Sequence, residues 1–143
     1  MTTIRFESRD ITPWTQHPRA ADLVVGNIYF RVQFQDQDMV VPQLFAWIFL
    51  GRDLHTDCPG LFFQDTDSYF SGVRFVVADL PSMATSPDTM IVSWERDGAW
   101  LECEPPREFA RVQEYDQALD SLLLCSIRRR TWDRRLRPAG PTE

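Results

Sequence analysis

The stretch Gln43-Leu-Phe-Ala-Trp-Ile-Phe-Leu-Gly51 contains seven consecutive apolar residues, Leu44 to Leu50. In an extended strand, successive side chains point to opposite faces of a sheet, so both faces of this run are apolar. The run is far too short to span a bilayer, and Gly51 ends it. It therefore predicts a central strand that is covered on both sides. If Phe45 or Trp47 were exposed instead, that face of the strand would be the binding surface.

Strand signals lie on both sides of the central run. Residues 28–35 alternate apolar and polar side chains with a period of two, which predicts a strand with one core face and one face that is wet or partly covered. The polar residues Asp36 to Asp38 predict a hairpin turn into the central run, and residues 64–68 predict a second hairpin turn. Residues 73–78 predict another strand, and residues 79–88 the longest loop.

The clearest hairpin signal is Asp97-Gly98, between Met90 and Glu104. This dipeptide suits a two-residue type I′ turn, because both central positions of that turn need positive φ. The turn fixes the register, placing Trp94 opposite Leu101 and Val92 opposite Cys103.

The only long helix signal follows Pro105-Pro106. Apolar residues recur at spacings of three and four, which predicts an amphipathic helix whose apolar stripe packs on the sheet. The members of this predicted stripe are Phe109, Val112, Tyr115, Leu119, Leu122, Leu123 and Ile127. Together the elements predict an α+β fold: a curved antiparallel β-meander or barrel-like sheet of five to seven strands with one C-terminal amphipathic helix packed on it. Residues 1–137 form one domain in this prediction, and residues 138–143 form a C-terminal tail.

Composition narrows the class of protein. A length of 143 residues with 43% hydrophobic content fits one compact domain. The first residues contain no apolar run of signal-peptide length, which favours a cytoplasmic protein. Three cysteines without CxxC spacing favour reduced thiols over a disulfide framework.

Charge is unevenly distributed along the chain. The net charge is −6, yet residues 128–143 carry six Arg against two acidic residues, a balance of +4 that leaves −10 on residues 1–127. Such an acidic body repels nucleic acid and attracts basic partners.

Two Asp-bearing segments, Gln35-Asp-Gln-Asp38 and Gln64-Asp-Thr-Asp67, are the first candidate sites. Asp36, Asp38, Asp65 and Asp67 offer oxygens to a hard cation if the two segments converge, but Asp also favours turns by bonding its own backbone. Neither segment has the Gly and the distal Glu of a calcium loop. No metal and no cofactor are therefore predicted, and these residues remain candidates for binding.

Two further candidate groups contain tryptophan. Glu95, Glu102 and Glu104 cluster on one face of the last hairpin with Trp100 nearby. Two carboxylates beside this aromatic platform suit acid–base chemistry on a sugar, or the cluster is simply a solvated acidic face. Trp132 lies in the arginine-rich end, which offers a phosphate or RNA contact or a solvated helix end.

The functional prediction combines these features with the motifs that the sequence lacks. There is no Gly-rich phosphate loop, GxSxG elbow or HExxH motif. We expect a small non-enzymatic protein-binding module, an acidic inhibitor or adaptor of a basic protein partner, with self-association as a further expectation and no membrane contact. The alternative is a small-molecule-binding barrel or a small hydrolase that uses Glu and Asp carboxylates.

Overall fold

The computed structural model of the protein describes residues 2–5, 8, 10–12, 14, 16–82 and 90–136, without the side chains of residues 132–136. Five strands form one antiparallel sheet: β1 (Ile28–Phe34), β2 (Pro42–Arg52), β3 (Leu61–Asp65), β4 (Val92–Arg96) and β5 (Ala99–Glu104). Two α-helices, α1 (Thr66–Phe70) and α2 (Tyr115–Leu136), and two 3-10 turns, Ala20–Asp22 and Val77–Asp79, complete the described elements. The predicted α+β class is confirmed. The sheet has the order β1-β2-β3-β5-β4 and does not close into a barrel.

The predicted central strand is covered over only part of its length. Trp47, Ile48 and Phe49 are buried, as expected for β2 between β1 and β3. Leu44 and Phe45, in contrast, are exposed. The reason is the short length of β3, which pairs with β2 only from Trp47 onward and then gives way to α1. The prediction of full cover is therefore right for the second half of the apolar run and wrong for the first.

The last hairpin forms as its turn dipeptide predicts. Asp97 and Gly98 have φ values of 52° and 84°, as a type I′ turn requires. Trp94 lies opposite Leu101, and Val92 lies opposite Cys103. Because β5 also pairs with β3, the hairpin extends the sheet and leaves β4 at its edge.

Two local predictions between β3 and β4 are wrong. Residues 64–68 do not turn a hairpin, because Asp65 caps α1 by accepting a hydrogen bond from the Ser68 amide at 2.9 Å. Residues 73–78 do not form a strand, since Val77 instead packs against Phe62 and Trp94 on a face of the sheet. Part of the predicted loop at 79–88 and the predicted tail at 138–143 lie outside the described residues.

The long helix begins later and faces the sheet differently from the prediction. Before it, the chain bridges β1 in an extended form, with the amide of Phe30 donating to the carbonyl of Gln113 at 2.8 Å. The helix buries the small residues Ala118, Ser121 and Cys125. Of the predicted stripe, Phe109 and Val112 precede the helix, and Tyr115, Leu119, Leu123 and Ile127 are exposed. The small, polar face packs inward instead, where the side chain of Gln113 donates to Ser121 Oγ at 2.9 Å.

One face of the sheet is concave. Arg31 on β1 contacts Glu102 and Glu104 on β5, although β2 and β3 lie between these strands. Neighbouring strands are about 4.8 Å apart and side chains stand roughly perpendicular to a sheet, so this contact requires the sheet to curl. On the same face, the bulk of one hydrophobic core lies around Trp47, Phe49 and Phe63.

Candidate functional site: an acidic aromatic cleft

A cleft of about 350 Å³ opens where β3 ends beside the uncovered half of β2. It is bounded by β2, the start of α1, and β5. Its lining residues are Leu44, Phe45, Ala46, Trp47, Asp65, Thr66, Asp67, Trp100 and Glu102. Four of the residues predicted from sequence, Asp65, Asp67, Trp100 and Glu102, are therefore brought together. The lining contains three carboxylates and no basic residue.

Three aromatic side chains form the apolar part of this acidic aromatic cleft. Trp100 on β5 is 46% exposed and Phe45 on β2 is 41% exposed, whereas Trp47 is buried and belongs to the hydrophobic core. Exposed rings on two separate strands can contact a ligand from more than one side. Aromatic faces carry negative electrostatic potential and attract cations.

Asp65 fixes the shape of the cleft. Its carboxylate accepts hydrogen bonds from the Ser68 amide at 2.9 Å, from Ser68 Oγ at 2.6 Å and from the Trp100 amide at 2.8 Å. It thus ties the first turn of α1 to β5. Burial acts to raise the pKa of Asp65, but the hydrogen bonds from Ser68 and Trp100 outweigh it and hold the pKa below its ordinary value. Asp65 is a charged structural link with little capacity left for a ligand.

Asp67 and Glu102 are the carboxylates with oxygens to offer. Asp67 is exposed in the first turn of α1, and its carboxylate accepts no hydrogen bond from a described residue. Glu102 is bound through Oε2 by Arg31, while its Oε1 accepts no hydrogen bond from a described residue. These two groups define the polar side of the cleft.

A buried ionic network supports Glu102 from behind. Arg31 is 5% exposed, binds Glu102 and donates to Glu104 Oε1 at 2.7 Å. Glu104 Oε2 accepts from the amide of Arg111 at 3.0 Å. The guanidinium of Arg31 also lies 5.4 Å from the centre of the Trp47 ring. Arg31 and Glu104 therefore hold both Glu102 and Trp47 in place.

Sequence reasoning missed Arg31 as a part of this site, although it grouped Glu104 with Glu102 on the last hairpin. Arg31 lies in the alternating strand at a position whose neighbours, Tyr29 and Gln33, suggest a wet or partly covered face. The available signal was the match between one cation on this strand and two carboxylates on the last hairpin. This match becomes informative only when the curl of the sheet is known, and no local sequence pattern predicts that curl.

The other predicted site residues lie elsewhere. Asp36 accepts from the amides of Val40 and Val41 in the β1–β2 turn, and Asp38 is exposed in the same turn. Glu95 Oε1 accepts from the Gly98 amide at 2.7 Å and so stabilises the type I′ turn. Trp132 is within α2, but its side chain lies outside the described residues. The two Asp-bearing segments do not converge, because Asp65 pairs with Trp47 whereas Asp36 lies in the turn beyond Phe34 and Pro42. Residues 16–82 and 90–131 contain no group of three His, Cys, Asp or Glu side chains suited to a metal ion.

A second depression, of about 560 Å³, lies between the start of β1 and the start of α2. It is lined by Gly26, Asn27, Ile28, Tyr29, Glu114, Tyr115 and Asp116, none of which the sequence predicts as a site residue. The acidic aromatic cleft is the stronger candidate, because four of the residues predicted from sequence meet there and its exposed rings come from two separate strands.

Comparison with family models, curated proteins and solved structures finds no match for this chain. None of the helices in the described part of the chain combines the length and the hydrophobicity that a membrane span needs.

Proposed function

We propose that this protein is a non-enzymatic binding module that accepts a basic side chain of a partner protein in the acidic aromatic cleft. The observation that carries the proposal is the lining of the cleft: three carboxylates, three aromatic rings and no basic group. A lysine or arginine side chain matches both parts, because its alkyl stem packs on aromatic rings while its charge pairs with carboxylates.

The charge of the whole chain supports the same kind of partner. The net charge of −6 attracts a basic protein during encounter. Steering of this type raises the association rate and falls with added salt. The pre-formed cleft, with Asp65 holding its walls together, reduces the ordering that binding requires.

The experiment is a calorimetric titration with short peptides that contain one arginine or one lysine, together with a peptide in which that residue is glutamine. We expect the basic peptides to bind and the glutamine peptide to bind at least tenfold more weakly, since a desolvated cation–aromatic contact contributes up to about 2 kcal/mol. Trp100→Ala and Asp67→Asn should each weaken binding of the basic peptides several-fold. Both side chains are exposed, so the substitutions leave the core intact.

Matched controls come from the same chain. Phe70→Ala removes another exposed aromatic ring, and Asp38→Asn removes another exposed carboxylate; neither residue lines the cleft. Both control variants should bind the basic peptides like the unmodified protein. Equal binding of the glutamine peptide, or equal losses in the control variants, would show that the cleft does not recognise a basic side chain.

A free small molecule is the second candidate ligand, favoured by the cleft volume. A cavity of about 350 Å³ lies within the range of about 300–1,000 Å³ that is usual for small-molecule sites. Its lining selects an organic cation. Native mass spectrometry of the protein purified from its source separates the two candidates, because a retained small amine would favour this ligand, and a retained basic protein would favour a protein partner.

A hydrolase needs two carboxylates that both act on substrate, and here Glu95 binds its own turn while Glu102 is paired with Arg31.

A further inference from the structure

The exposed side of α2 carries an apolar row. Leu119, Leu123 and Ile127 follow one another at intervals of four residues. These three side chains are between 42% and 53% exposed. Residues at i and i+4 form a ridge on a helix, and ridges of this kind pack into the grooves of another helix.

The row is symmetric about Leu123. Leu119 and Ile127 lie four residues before and after it, and Asp116 and Arg130 lie seven residues before and after it. A step of seven residues is close to two full turns, so Asp116, Leu123 and Arg130 are nearly in line along the helix. In an antiparallel pair of such helices, related by a twofold axis at Leu123, Leu123 therefore faces Leu123 of the other copy, and Leu119 faces Ile127.

The charges at the two ends of the row are complementary in this arrangement. Asp116 of one copy lies opposite Arg130 of the other copy, and the symmetry repeats the pair on the other side of the axis. Charges along the whole of α2 are arranged in the same direction. Acidic residues lie near its start, namely Glu114, Asp116 and Asp120, and basic residues lie in its second half, namely Arg128, Arg129 and Arg130. A parallel pair would instead bring like charges together.

We propose that α2 pairs with α2 of a second copy of this chain, antiparallel, through Leu119, Leu123 and Ile127, with ion pairs between Asp116 and Arg130 at both ends. The interface lies on α2, whereas the acidic aromatic cleft lies between β2, α1 and β5. Self-association and binding in the cleft are therefore separate properties, and either can fail without the other.

Cysteine cross-linking tests the register directly. The native Cys58, Cys103 and Cys125 are buried and unpaired, so an introduced surface cysteine is the reactive one. Leu123→Cys should form a disulfide-linked dimer under mild oxidation with oxidised glutathione, because it meets itself at the axis. Leu119→Cys and Ile127→Cys should each cross-link poorly alone but should form a mixed dimer when combined. Val76→Cys, at a more exposed apolar position outside α2, is the control and should remain monomeric.

Sedimentation equilibrium tests the charges. Leu123→Arg should weaken dimerisation at least tenfold, and Arg130→Asp should weaken it several-fold. Adding Asp116→Arg to Arg130→Asp should restore the affinity, since the exchanged pairs are again opposite in sign. A monomeric mass for the unmodified protein at all concentrations, cross-linking of Leu119→Cys alone as efficient as that of Leu123→Cys, or no recovery in the double variant would overturn the proposal.

Discussion

Replacement of Arg31 by methionine tests whether the buried ionic network holds the concave face together. Arg31 is 5% exposed and Glu104 is 1% exposed, so the substitution leaves a carboxylate without its cation and almost out of contact with water. Removing one partner of a buried ion pair typically costs about 3–5 kcal/mol. Methionine keeps much of the apolar stem, which limits the loss to charge and hydrogen bonding. We therefore expect Arg31→Met to lower the free energy of unfolding by about 3–5 kcal/mol.

The assay is urea denaturation followed by tryptophan fluorescence. Arg19→Met is the matched control, because Arg19 and Glu108 form an ion pair at 3.8 Å whose side chains are 62% and 69% exposed. That control should change stability by less than about 1 kcal/mol. A triple variant, Arg31→Met with Glu102→Gln and Glu104→Gln, should recover much of the loss, since it leaves no buried charge uncompensated. A loss in Arg31→Met no larger than in the control would falsify this account of the network.

Three further predictions concern Gly60, Cys103 and Asp65. Gly60→Ala should cost at least about 3 kcal/mol in thermal or urea unfolding, because Gly60 has φ 141° and an added Cβ would lie 1.9 Å from the Glu104 carbonyl oxygen. Burial raises the pKa of the Cys103 thiol from 9.0 to about 12. The contribution of this thiol to the free energy of unfolding should therefore be complete below pH 9 and should fall as the pH rises towards 12. Native Cys103 should also resist iodoacetamide until the protein unfolds. Asp65→Ala should lower the free energy of unfolding by about 2 kcal/mol through the lost helix cap. Because the pKa of Asp65 is lowered, the stabilising contribution of its carboxylate should be lost in acid unfolding as the pH falls below 3.8.

Local sequence chemistry was enough to predict the last hairpin. Asp97-Gly98 fixes both the turn type and the register, since few other residues accept positive φ at two successive positions. The second half of the central run was also predictable, because Trp47, Ile48 and Phe49 need cover on both faces. The α+β class follows from these strands and the later helical period.

The failures arise where a tertiary contact decides between local alternatives. Residues 64–68 contain turn-forming side chains, yet Asp65 caps a helix because Ser68 supplies the hydrogen-bond donors. A helix after residue 105 was correctly predicted, but it begins only at Tyr115, and the face that it turns to the sheet is the one bonded to Gln113 through Ser121. A polar pair of this kind is invisible to a pattern that ranks residues by hydrophobicity.

The candidate cleft was predictable in its residue types and not in its assembly. Asp65, Asp67, Trp100 and Glu102 come from two separate sequence signals, an Asp-bearing segment and a hairpin face. They meet because β5 pairs with β3 directly beside the start of α1. The order of the strands in the sheet brings these residues together. Asp36 is far from the same site because its turn lies at the other end of the β1–β2 pair.

The bond between Arg31 and Glu104 also bears on the order in which the chain folds. It joins residues 73 positions apart, so the ends of a long loop must meet before the bond can form. Closing such a loop costs more entropy than forming the Asp97-Gly98 turn, and long-range contacts form slowly for that reason. We expect the β4–β5 hairpin to appear early and the curl of the sheet to be completed late. The acidic aromatic cleft would then exist only in the fully folded chain, and no earlier folding species would expose a competent binding surface.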